Sequence, residues 1–313
     1  MVIANTARWN IWSSDFCGKM KDVKYILAIS GGVDSVVLLD MVARGRLPLL
    51  PLQERFLQEE DLVVAHFDHG IRDDSANDAE LVKSLATKYG IECVIGYGEL
   101  GENASEQLAR ARRYEFLRDL CSDLCKDGAC KIITAHHQDD LLETIVMNLI
   151  RGTGWRGLAP FWSDDILRPL LNLTKAEIVS YAITNDLEWT EDETNYSSKY
   201  FRNRVRDFVS RIKTEPREKL LELNKKQVKL RSEIEKILKL CKDGACKVAD
   251  VLSLPDNVAV EFLRQVTNEK LTTLQLRRLL KNLKIAKSGD RLQPGGGIQI
   301  GIYRGNLTIS KIR

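Results

Sequence analysis

Ser30-Gly31-Gly32-Val33-Asp34-Ser35 stands between a short apolar run and an amphipathic stretch, the arrangement of a strand, a turn and a helix. Two glycines let the backbone approach an anion closely. The serine hydroxyls and successive N–H groups can donate to it, and the helix N-terminus adds its positive dipole end. The loop has no lysine at its end, which separates it from the Gly-rich, Lys-containing phosphate loop of kinases and GTPases. The plainer alternative is a glycine turn that only packs a helix. All four histidines fall in two other segments, His66-Phe67-Asp68-His69-Gly70 and His136-His137-Gln138-Asp139-Asp140. Each follows an apolar run of strand length. His136, Asp140 and Glu143 are spaced i, i+4 and i+7, one face of a helix start, where the plainer reading is a solvated charge. Arg110 and Arg113, three apart, could meet phosphates or equally form the ion-paired exterior of a helix.

The elements that must position these residues alternate from Lys24 to Ala182. Strands are expected at Tyr25 to Ser30, Leu62 to Phe67, Ile91 to Gly96 and Lys131 to His136. Helices are expected at Asp34 to Ala43, Ala76 to Tyr89, from Asn103 with Glu106 closing a capping box, and at Asp139 to Arg151. This alternation predicts an α/β fold with a doubly wound parallel sheet. Ligands then bind at the carboxyl ends of the strands, where the polar segments fall. Further on, Thr174 and Glu177 form a capping box for a helix to about Asn185. Tyr200 to Arg206 is a dense basic segment, and Pro216 to Leu240 a long charged helix. Helices near Pro255 to Thr267 and Thr272 to Leu283 precede a Gly-rich turn, Gly295 to Gly297, expected between two alternating strands, IQIGIY and NLTIS.

The net charge of +3 hides a division. Residues 1–198 hold 20 basic and 32 acidic residues, whereas residues 199–313 hold 27 basic and 12 acidic. The basic part points to a polyanion, since Lys and Arg release counterions from a phosphate backbone; solvated helix faces are the alternative. Seven prolines in 313 residues and 44% hydrophobic residues exclude a disordered or collagen-like chain. No apolar run approaches the roughly 18 residues of a membrane span. The first residues lack a secretory pattern, so a cytoplasmic location is expected, and residues 1–19 read as a dispensable extension or an upstream start. Seven scattered cysteines read as reduced thiols. Cys121, Cys125, Cys130, Cys241 and Cys246 lack the paired spacing of common zinc or iron–sulfur sites and are expected to be loop thiols. The heptapeptide CKDGACK occurs at 125–131 and again at 241–247, each time after a helix.

The loop at Ser30 to Ser35 resembles the pyrophosphate loop, S-G-G-x-D-S, of the ATP pyrophosphatase superfamily. Other segments sharpen the resemblance: His66 to Arg72, Glu102 to Tyr114, Ala135 to Thr144, Arg151 to Gly154, Arg168 to Leu171, Asn195 and Arg202 to Arg206. With Leu276 to Leu280, Ser288 to Arg291 and the Pro-Gly-Gly turn, they are together similar to the tRNA(Ile)-lysidine synthetase family, in a short form, from Lys24 nearly to the end. The resemblance implies an adenine nucleotide alpha hydrolase-like catalytic domain. Its expected borders are an extension at 1–23, the catalytic domain at 24–198, a basic helical connector at 199–247 and a small α+β tRNA-binding domain at 248–313. It implies ATP-dependent ligation of L-lysine to C2 of the wobble cytidine of tRNA(Ile) with a CAU anticodon, with pyrophosphate and AMP released. A homodimer stays open.

Ser30, Gly31, Gly32, Val33, Asp34 and Ser35 would hold ATP together with Arg110 and Arg113. Asp34 and Asp140 suit Mg²⁺, a hard cation that takes carboxylate and phosphate oxygens. His136, Asp140 and Glu143 would clasp the lysine ammonium or take its proton, because an amine with a pKa near ~10.4 is not nucleophilic until deprotonated. Arg202 is expected to reach the active site, and Arg204 and Arg206 to reach tRNA phosphates. A tRNA thiolase and a non-catalytic nucleotide-gated RNA-binding protein are the alternatives.

Overall fold

The computed structural model describes residues 23–47, 61–70, 75–98, 100–101, 104–125, 129–163, 165–190, 201–240, 247–267 and 270–311. All but the last residue of the expected extension, and Arg72, Glu102, Asn103, Asn195, Tyr200, Cys241 and Cys246, lie outside the described residues. The chain divides into two compact units, Met1–Leu220 and Leu221–Arg313.

In the first unit, β1 (Val23–Ala28), β2 (Leu62–Asp68), β3 (Glu92–Tyr97), β4 (Ala129–Thr134) and β5 (Ile166–Leu167) form a parallel sheet in the order β3-β2-β1-β4-β5. This is the expected doubly wound sheet, with a two-residue fifth strand that the apolar pattern is too short to signal. The helices are α1 (Val33–Ala43), α2 (Ser75–Lys88), α3 (Glu106–Leu124), α4 (Gln138–Ile150), α5 (Lys175–Thr184) and α6 (Phe201–Ser210), with the start of α7 (Thr214–Leu240). Alternate residues of β1 serve the two faces. Tyr25 and Leu27 pack with Val37 of α1, Val82 of α2 and Ile178 of α5. Ile26 packs with Ile132 of β4 and with Tyr114 and Leu117 of α3. Period-two alternation thus gives every central strand two apolar faces, each covered by helices, as a parallel sheet requires.

Among the helices on one face of the sheet, Asp40 of α1 is fully buried yet satisfied. Arg44 Nε donates to it at 2.8 Å, Tyr181 Oη at 2.8 Å and Tyr89 Oη at 2.5 Å. Burial pushes the Tyr89 hydroxyl up to about 12, and its bond to the carboxylate adds to the rise. This cluster joins α1 to α5 independently of the ligand-facing ends of those helices.

Several element ends differ from expectation. α3 begins at Glu106, and Ser105 caps it by accepting from Leu108 N at 3.2 Å; Asn103 falls before the cap. β1 and β4 each end two residues earlier than the apolar runs suggest, so His136 lies beyond its strand. The last turn of α3 brings Cys121 beside Cys130 of β4, Cα to Cα 5.6 Å, and the two form a disulfide, against the expectation of reduced thiols throughout. Cys93 and Cys125 are free.

The second unit contains most of α7, then α8 (Val248–Leu252), α9 (Asp256–Val266) and α10 (Thr273–Leu283). It closes with an antiparallel sheet of β6 (Arg291–Gly295), β7 (Ile298–Tyr303) and β8 (Asn306–Lys311). Phe262, Leu263, Leu276, Leu280 and Leu283 are buried there, the i, i+4 stripes of α9 and α10. Gly295 to Gly297 join β6 to β7. The IQIGIY and NLTIS strands are instead joined by Arg304 and Gly305, so the glycine-rich turn lies one strand earlier than expected. The expected connector, 199–247, is shared: α6 and the first turns of α7 belong to the first unit and the rest of α7 to the second.

Candidate active site

The strand order reverses at β1. The chain proceeds from β1 to β2 and β3 on one side, then crosses to β4 on the other. The crevice between the carboxyl ends of β1 and β4 is therefore the switch point where open α/β sheets bind ligands. Two loops meet there, Ser30 to Gly32 after β1 and Ala135 to His137 after β4.

The first loop holds itself in shape. Ser35 Oγ donates to Gly32 O at 2.8 Å and accepts from Ser30 N at 3.1 Å, and the two serine hydroxyls lie 3.2 Å apart. Gly31 adopts φ +93°, a left-handed conformation suited to glycine. Its carbonyl accepts from Thr190 N at 3.0 Å. Gly32 is the N-cap of α1 and offers no capping side chain; Ser35 N and Val36 N donate to Gly32 O at 3.0 Å, and the N–H groups of Val33 and Asp34 at the loop are left without intrahelical acceptors. That is the geometry of an anion site.

The second loop starts α4. His137 caps the helix: its Nδ1 accepts from Asp139 N at 3.2 Å, and its own N–H donates to Asp140 Oδ2 at 3.0 Å. Because Nδ1 accepts, the neutral ring carries its proton on Nε2. Nε2 faces both acidic groups, 3.8 Å from Asp34 Oδ1 and 3.5 Å from Asp140 Oδ2. The two carboxylates are thus brought together across one ring. Among the described residues, no three His, Cys, Asp or Glu side chains form a metal-ligand group. Asp34 and Asp140 fit a hard divalent cation as two oxygen donors, with phosphate and water supplying the rest. A cationic group already stands at one of them: Lys175 Nζ lies 2.6 Å from Asp34 Oδ1.

His136 does not share a helix face with Asp140 and Glu143, because α4 begins only at Gln138. Its Nδ1 pairs with Thr134 Oγ1 at 2.8 Å, and its ring lies 4.9 Å from that of Phe161. Burial lowers its pKa to about 3; Asp140 opposes the shift, and the guanidinium groups of Arg168, Arg110 and Arg113 reinforce it. The imidazole is neutral at physiological pH. Arg110 and Arg113 flank the Tyr114 ring at 5.1 and 5.5 Å and carry their charge to the His136 side. Burial lowers the pKa of Arg113 and of Arg168.

Glu143 is buried, and its two oxygens are separately engaged. Arg202 Nε donates to Oε2 at 3.1 Å and Arg206 Nε to Oε1 at 3.0 Å. Arg202 Nη2 also reaches Asp140 Oδ1 at 3.3 Å. Burial pushes the Asp140 carboxyl up, but the facing His137, whose backbone N–H also donates to it, together with His136 and the Arg202 guanidinium, outweighs burial and holds the pKa below the usual value. Arg206, expected at tRNA phosphates, therefore joins Arg202 at the acidic face, whereas Arg204 lies over the Phe201 ring at 5.8 Å. Arg217 of α7 donates to Gln138 Oε1 at 3.1 Å and to Asp139 Oδ1. Lys175, Arg206 and Arg217 are the residues that spacing alone missed. The Arg202/Arg206 interval of four, one helix face, was the one available signal.

Residues 7–212 match the family described as PP-loop domain. The tRNA(Ile)-lysidine synthase of Thermotoga maritima is 39% identical over 189 residues, 58% of this chain and 43% of that protein. That of Enterococcus faecalis is 36% identical over 194 residues, 59% and 39% of the respective chains. The matched stretch thus spans less than half the length of these curated relatives. Among solved structures, a U34-tRNA thiolase from Methanococcus maripaludis, with its 4Fe–4S cluster, is alike in fold with a TM-score of 0.50 at 18% identity, over 66% of this chain and 72% of that one. The loop at the β1 end, the switch-point crevice beside it and the match over about two thirds of the sequence agree: the chain belongs to the PP-loop family.

Proposed function

We propose that the chain ligates L-lysine to C2 of the wobble cytidine (position 34, CAU anticodon) of tRNA(Ile), through an adenylated tRNA, with release of pyrophosphate and AMP. The observation that carries this reading is the meeting of Asp34 and Asp140 at His137 Nε2, which sets an anion-binding loop against an acidic pocket at the switch point. Relatives at 36–39% identity over 189 to 194 residues are named tRNA(Ile)-lysidine synthases.

In this reading Ser30, Gly31, Gly32, Val33 and Ser35 cradle the ATP phosphates through N–H and hydroxyl groups, and Arg110 and Arg113 neutralise a phosphate on the His136 side. Mg²⁺ held by Asp34 and Asp140 would offset charge on the phosphates. The C2 oxygen of the cytidine is a poor leaving group until it carries AMP. Asp140 and Glu143 attract the ammonium of lysine, which must replace a guanidinium of Arg202 or Arg206 to reach them. His136, neutral and paired through Nδ1 with Thr134, is positioned to clasp the lysine ammonium; with its pKa at about 3 it is too weak a base to take the proton, which leaves to solvent. The second unit, with the connector, supplies Lys and Arg to the tRNA backbone. Such an enzyme works in the cytoplasm with its tRNA; no helix among the described residues is long and apolar enough to cross a membrane.

A thiolase reading needs a cysteine in the crevice. Among the described residues, Cys130 lies at the start of β4, the strand end away from His136, and its partner Cys121 lies at the end of α3. The deciding experiment combines the protein, an isoleucine tRNA transcript with a CAU anticodon, ATP, Mg²⁺ and labelled lysine. Label in the tRNA is expected, with AMP formed in equal amount. Folded, ATP-binding protein that leaves the tRNA unlabelled overturns the reading.

A further inference from the structure

The loop at the β1 end lacks the lysine that other phosphate loops carry, yet an ammonium stands beside it. Lys175 is the first residue of α5, more than a hundred residues away in sequence, and its Nζ lies 2.6 Å from Asp34 Oδ1 in the first turn of α1. Its backbone is fixed independently: Lys175 N donates to Asp139 Oδ2 at 2.8 Å, and Thr174 and Glu177 close a capping box around the helix start. The side chain is therefore aimed at the crevice by a rigid support.

The ion pair itself is a poor candidate for a structural role. Both side chains are partly open to solvent, 45% and 31% exposed, and such pairs contribute little to stability. α5 is already held on α1 by buried Ile178 and Ala182 and by the Tyr181 bond to Asp40. A weak, exchangeable contact at the mouth of an anion-binding loop suits a group that changes partners.

We propose that Lys175 is the cation that binds the pyrophosphate half of ATP, parked on Asp34 until the phosphates arrive. The proposal rests on the reading of Ser30 to Ser35 as the phosphate loop. As the cytidine C2 oxygen bonds to the α-phosphorus, the bridging bond from that phosphorus to the β-phosphate oxygen breaks, and its electron pair leaves with pyrophosphate. The Lys175 ammonium offsets the charge that builds on the leaving group. Release of Asp34 by the ammonium also clears an oxygen for the divalent cation, so one movement prepares both.

The test is direct binding to the full chain, without tRNA or lysine. Calorimetry with inorganic pyrophosphate and, separately, with AMP compares the wild type with Lys175→Met and Lys175→Arg. Lys175→Met is expected to weaken pyrophosphate binding about ten-fold or more and to leave AMP binding within about two-fold, and Lys175→Arg to restore most of the affinity. Unaltered thermal melting of both variants is expected, since the cap and the backbone bond to Asp139 do not involve the side chain. Equal pyrophosphate affinity in wild type and Lys175→Met overturns the assignment of Lys175 alone. A wild type that binds AMP but no pyrophosphate overturns it together with the phosphate-loop reading.

Discussion

Arg202 and Glu143 meet across 59 residues of sequence, Nε to Oε2 3.1 Å, with Glu143 almost fully buried. Arg206 takes the other oxygen of the same carboxylate, so the acidic face of α4 is occupied by the chain's own cations. Removing one partner of a buried pair leaves the other uncompensated, which costs several kcal/mol. Glu143→Ala is expected to destabilise the first unit by about 3 kcal/mol in urea unfolding, discounted from the fully buried case because Arg206 is partly exposed. A change below about 1 kcal/mol would show that the arginines find solvent at no cost and that Glu143 does not organise them.

Asp34 bridges the two loops of the crevice, and its first-turn place on α1 leaves its carboxylate facing His137 and Lys175. On the proposed lysine-ligase reading, Asp34→Ala is expected to abolish AMP formation while leaving the fold intact, because the residue is partly exposed and outside the apolar core. The assay is AMP release with tRNA and lysine present, paired with a melting curve. Full turnover in a folded variant removes Asp34 from any metal role.

His136 gives the stability a pH dependence of defined sign. Its pKa near 3 in the folded chain lies below the ordinary 6.5. Between these values the unfolded chain binds a proton that the folded chain does not, so stability rises with pH across that window and falls as pH drops from 6.5 towards 3. Above 6.5 the contribution is constant. Asp140, also held below its ordinary value, acts in the same direction at the acid end. Wild-type stability should fall by up to about 1 kcal/mol per pH unit more steeply than that of His136→Gln between pH 6 and about 4. Parallel curves for the two proteins would mean that the ring is solvated rather than buried.

Gly31 and Gly32 separate backbone need from close approach. At φ +93° an alanine in place of Gly31 is strained, and its Cβ would come within 3.1 Å of Thr190 Oγ1. At Gly32, with φ −71°, the added Cβ would meet only Ser30 Oγ at 3.7 Å. Gly31→Ala should cost about 1–3 kcal/mol and Gly32→Ala under about 1. Equal unfolding midpoints for the two variants would rule out the left-handed turn.

These residues also show which parts of the molecule a reader of the sequence can see. The sheet, the Thr174 cap and the loop at Ser30 to Ser35 are legible because their signals are local: apolar runs, capping residues and a Gly-Gly turn within a few positions. Strand ends are not, since an apolar run continues past the last ladder bond; hence β4 stops at Thr134 and His136 leaves the helix face assigned to it. Ser105 and Asn103 are both good caps, and only the path of the chain into α3 decides between them. The pairs Lys175 with Asp34, Arg206 with Glu143 and Arg217 with Asp139 depend on helices packing at long sequence separation. Residue type marks such side chains only as solvated charge. The Cys121–Cys130 disulfide was missed for another reason: compartment arguments say nothing about two cysteines set side by side by a helix end and a strand start.

The basic part of the chain has its own test. α7 carries Lys225, Lys226 and Lys229 within about one turn and a half of helix, and Lys226 is exposed and paired i, i+4 with Glu222 at 2.8 Å. An exposed pair of that kind contributes a few tenths of a kcal/mol, so charge reversal should leave the helix folded. If this surface grips tRNA phosphates, the triple variant Lys225→Glu, Lys226→Glu, Lys229→Glu forfeits counterion release. Its affinity for a tRNA transcript should drop, and the slope of log affinity against log salt should become shallower by about 1 for each phosphate that is no longer neutralised. Melting should change little, and ATP binding in the first unit should not change at all. Wild-type affinity and salt slope in a folded triple variant would assign these lysines to solvation and move the tRNA footprint elsewhere on the chain.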